Sequence, residues 1–279
     1  MSSPSDTQAY FIIRSEDRNK GLYPSPARFT ITPNEHSFVS SGIRSLEGES
    51  FQMFYNIPNI NERNNIIVFD DGSTSYPITV PEAFYTYVDL GEEIKAQMNS
   101  IIGAGHDFKW DPVLLKYTLQ APAPLRVTKF PGQRRDLAGV VGFAYDQALS
   151  VSIVGGCADL NYTRDIYVTT NRLHRNKRAQ DQASEGIISD VLMVVPLYSE
   201  SDYWDIFNRK TTPYDTLLKP RNLFHMPTLR KLVHFNDDES ISNIDILLLD
   251  DQGEELYNPF SDNPDFSYKF RLTINANHI

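Results

Sequence analysis

Three carboxylate groups are the first residues in this chain with the makings of a reactive site: Asp70-Asp71, Asp237-Asp238-Glu239 and Asp250-Asp251. Adjacent carboxylates bind divalent cations or, where their environments differ, divide acid and base roles. Two of the three fall at expected hairpin turns, however, where Asp accepts hydrogen bonds from its own backbone, and the turn reading is preferred there. The six histidines, at 36, 106, 174, 225, 234 and 278, show no metal-ligand spacing. His225 and His234 are the closest pair and lie too far apart for one helical face. Cys157 follows Gly155-Gly156; a nucleophile there would need a histidine nearby in space, and a small buried thiol is the plainer expectation. The chain has no Gly-rich phosphate loop, dinucleotide fingerprint or serine elbow. No catalytic residue, cofactor or metal site is expected, and the chain is not read as an enzyme.

Two basic groupings remain: Arg134-Arg135, and the run Arg172, Arg175, Lys177 and Arg178 on a polar stretch. That run reads either as a solvated loop or as a contact with an acidic partner, or with nucleic acid lining a container. It lacks interleaved aromatics, so it is not a base-stacking surface. The four cations are the candidate partner contacts.

The elements that would carry these residues are organised around 64–102. Asn64-Asn65 precedes the apolar run Ile66–Phe69, and Asp70-Asp71-Gly72-Ser73 supplies a tight turn into a returning strand over Tyr76–Tyr87. Pro77 and Pro81 remove ladder donors, which places that strand at an edge or breaks it with a bulge. Asp89 with Glu92 three positions on reads as a capping box, and Leu90, Ile94, Met98 and Ile101 repeat at helical spacing until Gly103. A second hairpin is expected through Asp111-Pro112, then a strand over Leu125–Phe130 and a short helical stretch within Gln133–Phe143.

Strands dominate elsewhere. Tyr10–Ile13, Arg28–Ile31 and Gly42–Phe54 precede the central unit, with a flexible Ser-rich arm over residues 1–8. Arg164–Thr170, Val191–Tyr198, Leu229–Phe235, Ile244–Leu249 and Phe266–Ile274 follow it. Val191–Tyr198 is nearly continuous in apolar residues and reads as buried on both faces. Phe266, Tyr268, Phe270, Leu272 and Ile274 alternate most cleanly, and many short strands separated by turn signals argue for a sandwich or jelly roll. The glycines at 155 and 156 suggest a domain boundary near 150.

With 279 residues, the chain can bury roughly 75% of its unfolded surface. One cysteine excludes an internal disulfide and fits a reducing compartment, so synthesis in the host cytoplasm or nucleus is expected. A net charge of −10 argues against general or specific nucleic-acid binding. No apolar run is long enough to span a bilayer, and residues 1–7 lack the features of a signal peptide. The sequon Asn161-Tyr162-Thr163 would go unused in the cytosol.

The residues 42–60, Asn64-Asn65, Tyr76-Pro77-Ile78-Thr79-Val80-Pro81, Tyr85-Thr86 and the helix from Asp89 resemble the penton and minor capsid proteins of virophages, polinton-like viruses and nucleocytoplasmic large DNA viruses. The opening Phe11-Ile12-Ile13-Arg14-Ser15-Glu16-Asp17-Arg18-Asn19, with Tyr23-Pro24, is similar to the same group. So is Ile244–Gly253 before the last alternating strand.

The resemblance implies a virion structural protein: an all-β, mainly antiparallel jelly-roll sandwich over 1–59 and 150–279, with an α+β domain over 60–149 inserted between its strands and pointing outward. A double jelly roll needs a longer chain, which favours a penton forming homopentamers at the vertices of an icosahedral capsid. Its partners would be the major capsid protein and other minor capsid proteins, and its place the virion. The alternatives are a minor capsid or cement protein between capsomers, or a glycan-binding β-sandwich module using Trp110 and Trp204.

Overall fold

The structure, a computed structural model, describes residues 7–31, 43–161, 163–170, 191–197, 220–228, 232–234, 244–258 and 267–276. In chain order the elements begin with β1 (Thr7–Arg14), a 3-10 turn at Ser15–Asp17, β2 (Arg28–Ile31) and β3 (Ile43–Tyr55). There follow β4 (Ile66–Asp70), β5 (Ser75–Thr79), α1 (Tyr87–Ile101), β6 (Asp107–Asp111), β7 (Lys116–Thr128), α2 (Leu137–Val141) and β8 (Ser150–Val154). The remainder is β9 (Asp165–Thr169), β10 (Val191–Pro196), β11 (Arg221–His225), β12 (Leu232–His234), β13 (Ile244–Leu249) and β14 (Tyr268–Ala276).

The chain forms two compact units, one of Met1–Ile57, Thr163–Ser199 and Pro220–Ile279, the other of Pro58–Tyr162 and Glu200–Lys219. The return to the first unit therefore falls after Tyr162 rather than near 150. The physical reason is β8, which pairs with β7 through Thr118↔Val154, Leu119↔Ile153 and Gln120↔Ser152. Leu160 beyond it is also buried in the second unit's core. Gly155 and Gly156, read as linker, are held by hydrogen bonds to the carbonyls of Tyr117 and Gly142.

In the first unit one sheet has the order β1-β14-β3-β11, with β12 also on β3, and the other has the order β10-β9-β13-β2. All their pairings are antiparallel. Taking β11 and β12 as one interrupted strand, the order is first-eighth-third-sixth against fifth-fourth-seventh-second. That is the double Greek key of a jelly roll. The second unit enters between its third and fourth strands.

Alternation fills the space between the sheets. Phe51 and Met53 of β3 and Tyr268, Phe270 and Leu272 of β14 face Phe29, Ile166, Val168, Ile246 and Leu248, all buried. Tyr268 stacks on Phe51 at 5.4 Å and lies 6.1 Å from Phe29 between ring centroids. β10 corrects its sequence reading: it is an edge strand among the described residues, and a register shift between Val191 and Met193 buries Val191, Leu192 and Met193 consecutively while Val194 is exposed. A bulge, not burial on two faces, produces the continuous apolar run.

The turn after β1 is tied by Arg18. Its guanidinium donates to the carbonyls of Ser15 at 2.8 Å, Tyr23 at 3.0 Å and Pro24 at 3.1 Å. Ser15 Oγ in turn accepts the Tyr268 N–H at 3.0 Å, fastening β14 to the turn. Asn19 Oδ1 accepts from the backbone of Gly21 and Leu22.

The second unit has the sheet β5-β4-β7-β6, with β8 on β7. Leu90, Ile94 and Met98 of α1 are fully buried with Ile67, Phe69, Ile78, Phe108, Tyr117 and Val127. Ile101 is exposed, and Tyr87 takes the fourth buried place at the other end of the stripe. The cap also lies earlier than expected. Thr86, not Asp89, is the N-cap: its Oγ1 accepts the Asp89 N–H at 3.1 Å and donates to Asp89 Oδ2 at 2.7 Å. Thr86→Ala is expected to cost about 1 kcal/mol, read as a lower urea midpoint at unchanged slope.

The paired asparagines form a bracket at the entry of this unit. Asn64 Nδ2 donates to the Asn59 carbonyl at 2.8 Å, and its Oδ1 accepts the Asn61 N–H at 2.8 Å. Asn59 exchanges two bonds with the Tyr85 backbone, while Asn65 and Gln133 join β4 to Val80 and Glu62.

Candidate assembly surface

Two of the three carboxylate groups resolve into turn chemistry. Asp70 accepts from Gly72 N at 2.9 Å, Arg126 Nε at 2.9 Å and Ser75 Oγ at 2.8 Å. Asp71 accepts from Ser73 N and Oγ, Thr74 N and the Tyr76 hydroxyl. These donors stabilise the ionised forms; the Ser73 hydroxyl leads for Asp71 and the Ser75 hydroxyl for Asp70, and both carboxyls sit below their ordinary range. A depressed folded pKa contributes stability above the unfolded value and loses it as pH falls through the folded one. The thermal unfolding midpoint should therefore fall on acidification below the ordinary 3.8, and Asp71→Asn should flatten that fall while lowering stability at neutral pH.

Asp250 likewise accepts the N–H groups of Gln252 and Glu254. Asp237-Asp238-Glu239 and the four cations Arg172, Arg175, Lys177 and Arg178 lie outside the described residues. Arg135 pairs with Asp159 at 3.2 Å. Among the described residues no three His, Cys, Asp or Glu side chains group to hold a metal, and no helix is long and apolar enough to cross a membrane. His106 is buried, with Nδ1 2.7 Å from the Gly103 carbonyl, closing the end of α1. Cys157 is exposed, which corrects the buried thiol expected. Trp110 is half-buried, stacked on Tyr87 at 4.4 Å and beside Tyr117 at 4.9 Å, so its faces are committed to packing. Trp204 is outside the described residues.

What the strand registers do assemble is a surface on the outer face of the first sheet. Arg14 pairs with Lys269, Lys269 with Gln52, and Gln52 with Phe224. All four are exposed, so one row of outward side chains crosses β1, β14, β3 and β11. At roughly 4.8 Å per strand it spans about 14 Å. The neighbouring row holds Ile12 opposite Arg271, and on the far side Phe54 opposite Asn222. Phe224 is 68% exposed and Ile12 60%, high for large apolar side chains.

Charge on this face is unevenly satisfied. Arg271 Nε lies 2.6 Å from Glu49 Oε2, and its guanidinium sits 4.6 Å over the Tyr10 ring. Arg14 and Lys269, directly opposite each other, have no ion pair among the described residues. Like charges so placed repel. A shallow groove of about 340 Å³ runs beside them, lined by Arg14, Lys269, Gln52, Phe54, Asn222 and also Glu16. Sequence reasoning missed this face because its residues come from four distant segments and only the registers bring them together.

The outer face of the second sheet differs. Val194 lies opposite Tyr167 and Tyr167 opposite Leu249, making an apolar row with Asp165, Asp245 and Asp251 around it. Burial, then the charge of Asp251, raises the Asp165 pKa.

No protein-family model and no curated protein matches the sequence. Among solved structures, the chain is similar to a mavirus penton protein, at 12% identity and a TM-score of 0.49, covering 97% of this chain and 99% of that one. It is also similar to a chain of the Sputnik virophage, at 12% identity and a TM-score of 0.43, covering 96% and 98%.

Proposed function

We propose that this chain is a structural protein of an icosahedral virion, and within it the penton that closes the five-fold vertices. The observation that carries this reading is the strand order: an eight-position jelly roll with a whole second unit inserted between its third and fourth strands. Jelly rolls serve chiefly as capsid, lectin and cupin domains. A cupin needs an open, ligand-lined interior, whereas Phe29, Phe51, Met53 and Phe270 fill this one. The glycan-binding alternative drew on Trp110, whose ring is packed against Tyr87, and on Trp204, which lies outside the described residues. The sequence resemblance to penton and minor capsid proteins points the same way as the strand order.

A vertex ring is head-to-tail, so each subunit must offer two different patches. The jelly roll carries two unlike outer faces, one centred on cations and one on an apolar row flanked by carboxylates. A lasting ring contact would bury on the order of 800 Å² per partner. The test is cryo-microscopy of shells assembled from the virus's major capsid protein with and without this chain. Added density at the five-fold vertices supports the penton; density between capsomers would instead assign the cement role.

A further inference from the structure

We propose that the exposed row Arg14–Lys269–Gln52–Phe224 is a docking site for an extended acidic segment of a neighbouring polypeptide. Naming a polypeptide as the occupant rests on the reading of the chain as a shell component.

The residues select the chemistry. Arg14 and Lys269 are directly opposed across β1 and β14, and no carboxylate pairs with either among the described residues. Two like charges held side by side at a sheet surface destabilise it in isolation, and a pair of incoming carboxylates would relieve that repulsion. Beyond them Gln52 offers an amide, and Phe224 and Phe54 offer exposed rings beside the groove.

An extended chain advances about 3.4 Å per residue and turns successive side chains to opposite sides, so five residues, with the first, third and fifth facing the sheet, cover the row of about 14 Å. The segment that fits presents acidic residues at its first and third positions and an aromatic or large apolar one at its fifth, with small polar residues between them. Specificity then comes from alternate side chains, as in other complexes of extended peptides. Nucleic acid is the less suited ligand. It would need several more cations than these two, and the face also carries Glu16 and Glu49.

The experiment is fluorescence anisotropy on the purified full chain with a fluorescein-labelled peptide of repeated Glu-Ser-Glu-Ser-Phe-Ser units. Saturable binding that weakens with salt is expected. Lys269→Glu and Arg14→Glu should each weaken it about threefold to tenfold, and Phe224→Ala should weaken it without altering the salt dependence. Lys129→Glu, an exposed cation in the other unit, controls for net charge and should leave binding unchanged. Absence of saturable binding would overturn the proposal, as would an equal loss from Lys129→Glu. Tighter binding of an oligothymidylate, competing with the peptide, would overturn it in favour of nucleic acid. Since the peptide titration does not depend on ring formation, its failure is distinct from a failure of the vertex assignment, which the mass of the protein in solution reports.

Discussion

Replacing Arg18 with leucine is expected to destabilise the jelly-roll unit by about 2–4 kcal/mol. Arg18 is 6% exposed, and its guanidinium satisfies the carbonyls of Ser15, Tyr23 and Pro24. Leucine would leave the buried Ser15 carbonyl without this donor, a loss of about 1–3 kcal/mol, while at the part-buried Tyr23 and Pro24 carbonyls water replaces it in part. The damage should spread to β14, because Ser15 Oγ also receives the Tyr268 N–H. Hydrogen exchange over residues 7–31 and 267–276 should accelerate first, while peptides from α1 remain protected. Arg18→Lys should recover little, since one ammonium cannot hold three carbonyls in the planar fork of a guanidinium.

Gly142→Val is expected to disrupt the second unit by about 3 kcal/mol or more. Gly142 ends α2 with φ of +82°, a backbone region costly to branched side chains. An added Cβ would also stand 2.8 Å from the Gly156 carbonyl oxygen and 2.9 Å from that of Cys157. These are backbone atoms and cannot swing aside. Gly103 is the control: its φ is +130°, but nothing lies within 4 Å of an added Cβ. Gly103→Val should pay conformational strain of about 1–2 kcal/mol without the clash. Urea unfolding of both variants, followed by near-ultraviolet circular dichroism, separates strain from crowding.

These effects show where the sequence was readable. Phe270 and Leu272 were legible because Tyr268, Phe270 and Leu272 of β14 are buried while Lys269 and Arg271 between them are exposed, so side-chain alternation maps directly onto burial there. The helix α1 was legible for the same reason at a different period. Its start was displaced by three residues because Asp89 and Glu92 imitate the spacing by which Thr86 and Asp89 form the real cap. The run at β10 misled because a bulge cancels alternation. The boundary near 150 misled because Gly155 and Gly156 serve close packing: an added Cβ on Gly155 would meet the Phe143 ring at 2.8 Å. Arg18 and Asn64 stood in motifs that the sequence could quote but not explain; both motifs prove to be polar clasps on buried backbone. The cation–aromatic row was not legible at all, because it depends on the registers of three strand pairs.

Light scattering coupled to size-exclusion chromatography of the purified chain is the most direct test of the vertex assignment. The ring predicts a species near five times 31.8 kDa that persists on dilution and gives way to monomer only as its interface is weakened. A monomer at every concentration, remaining so when the major capsid protein is added, would contradict it, as would a stable dimer or trimer.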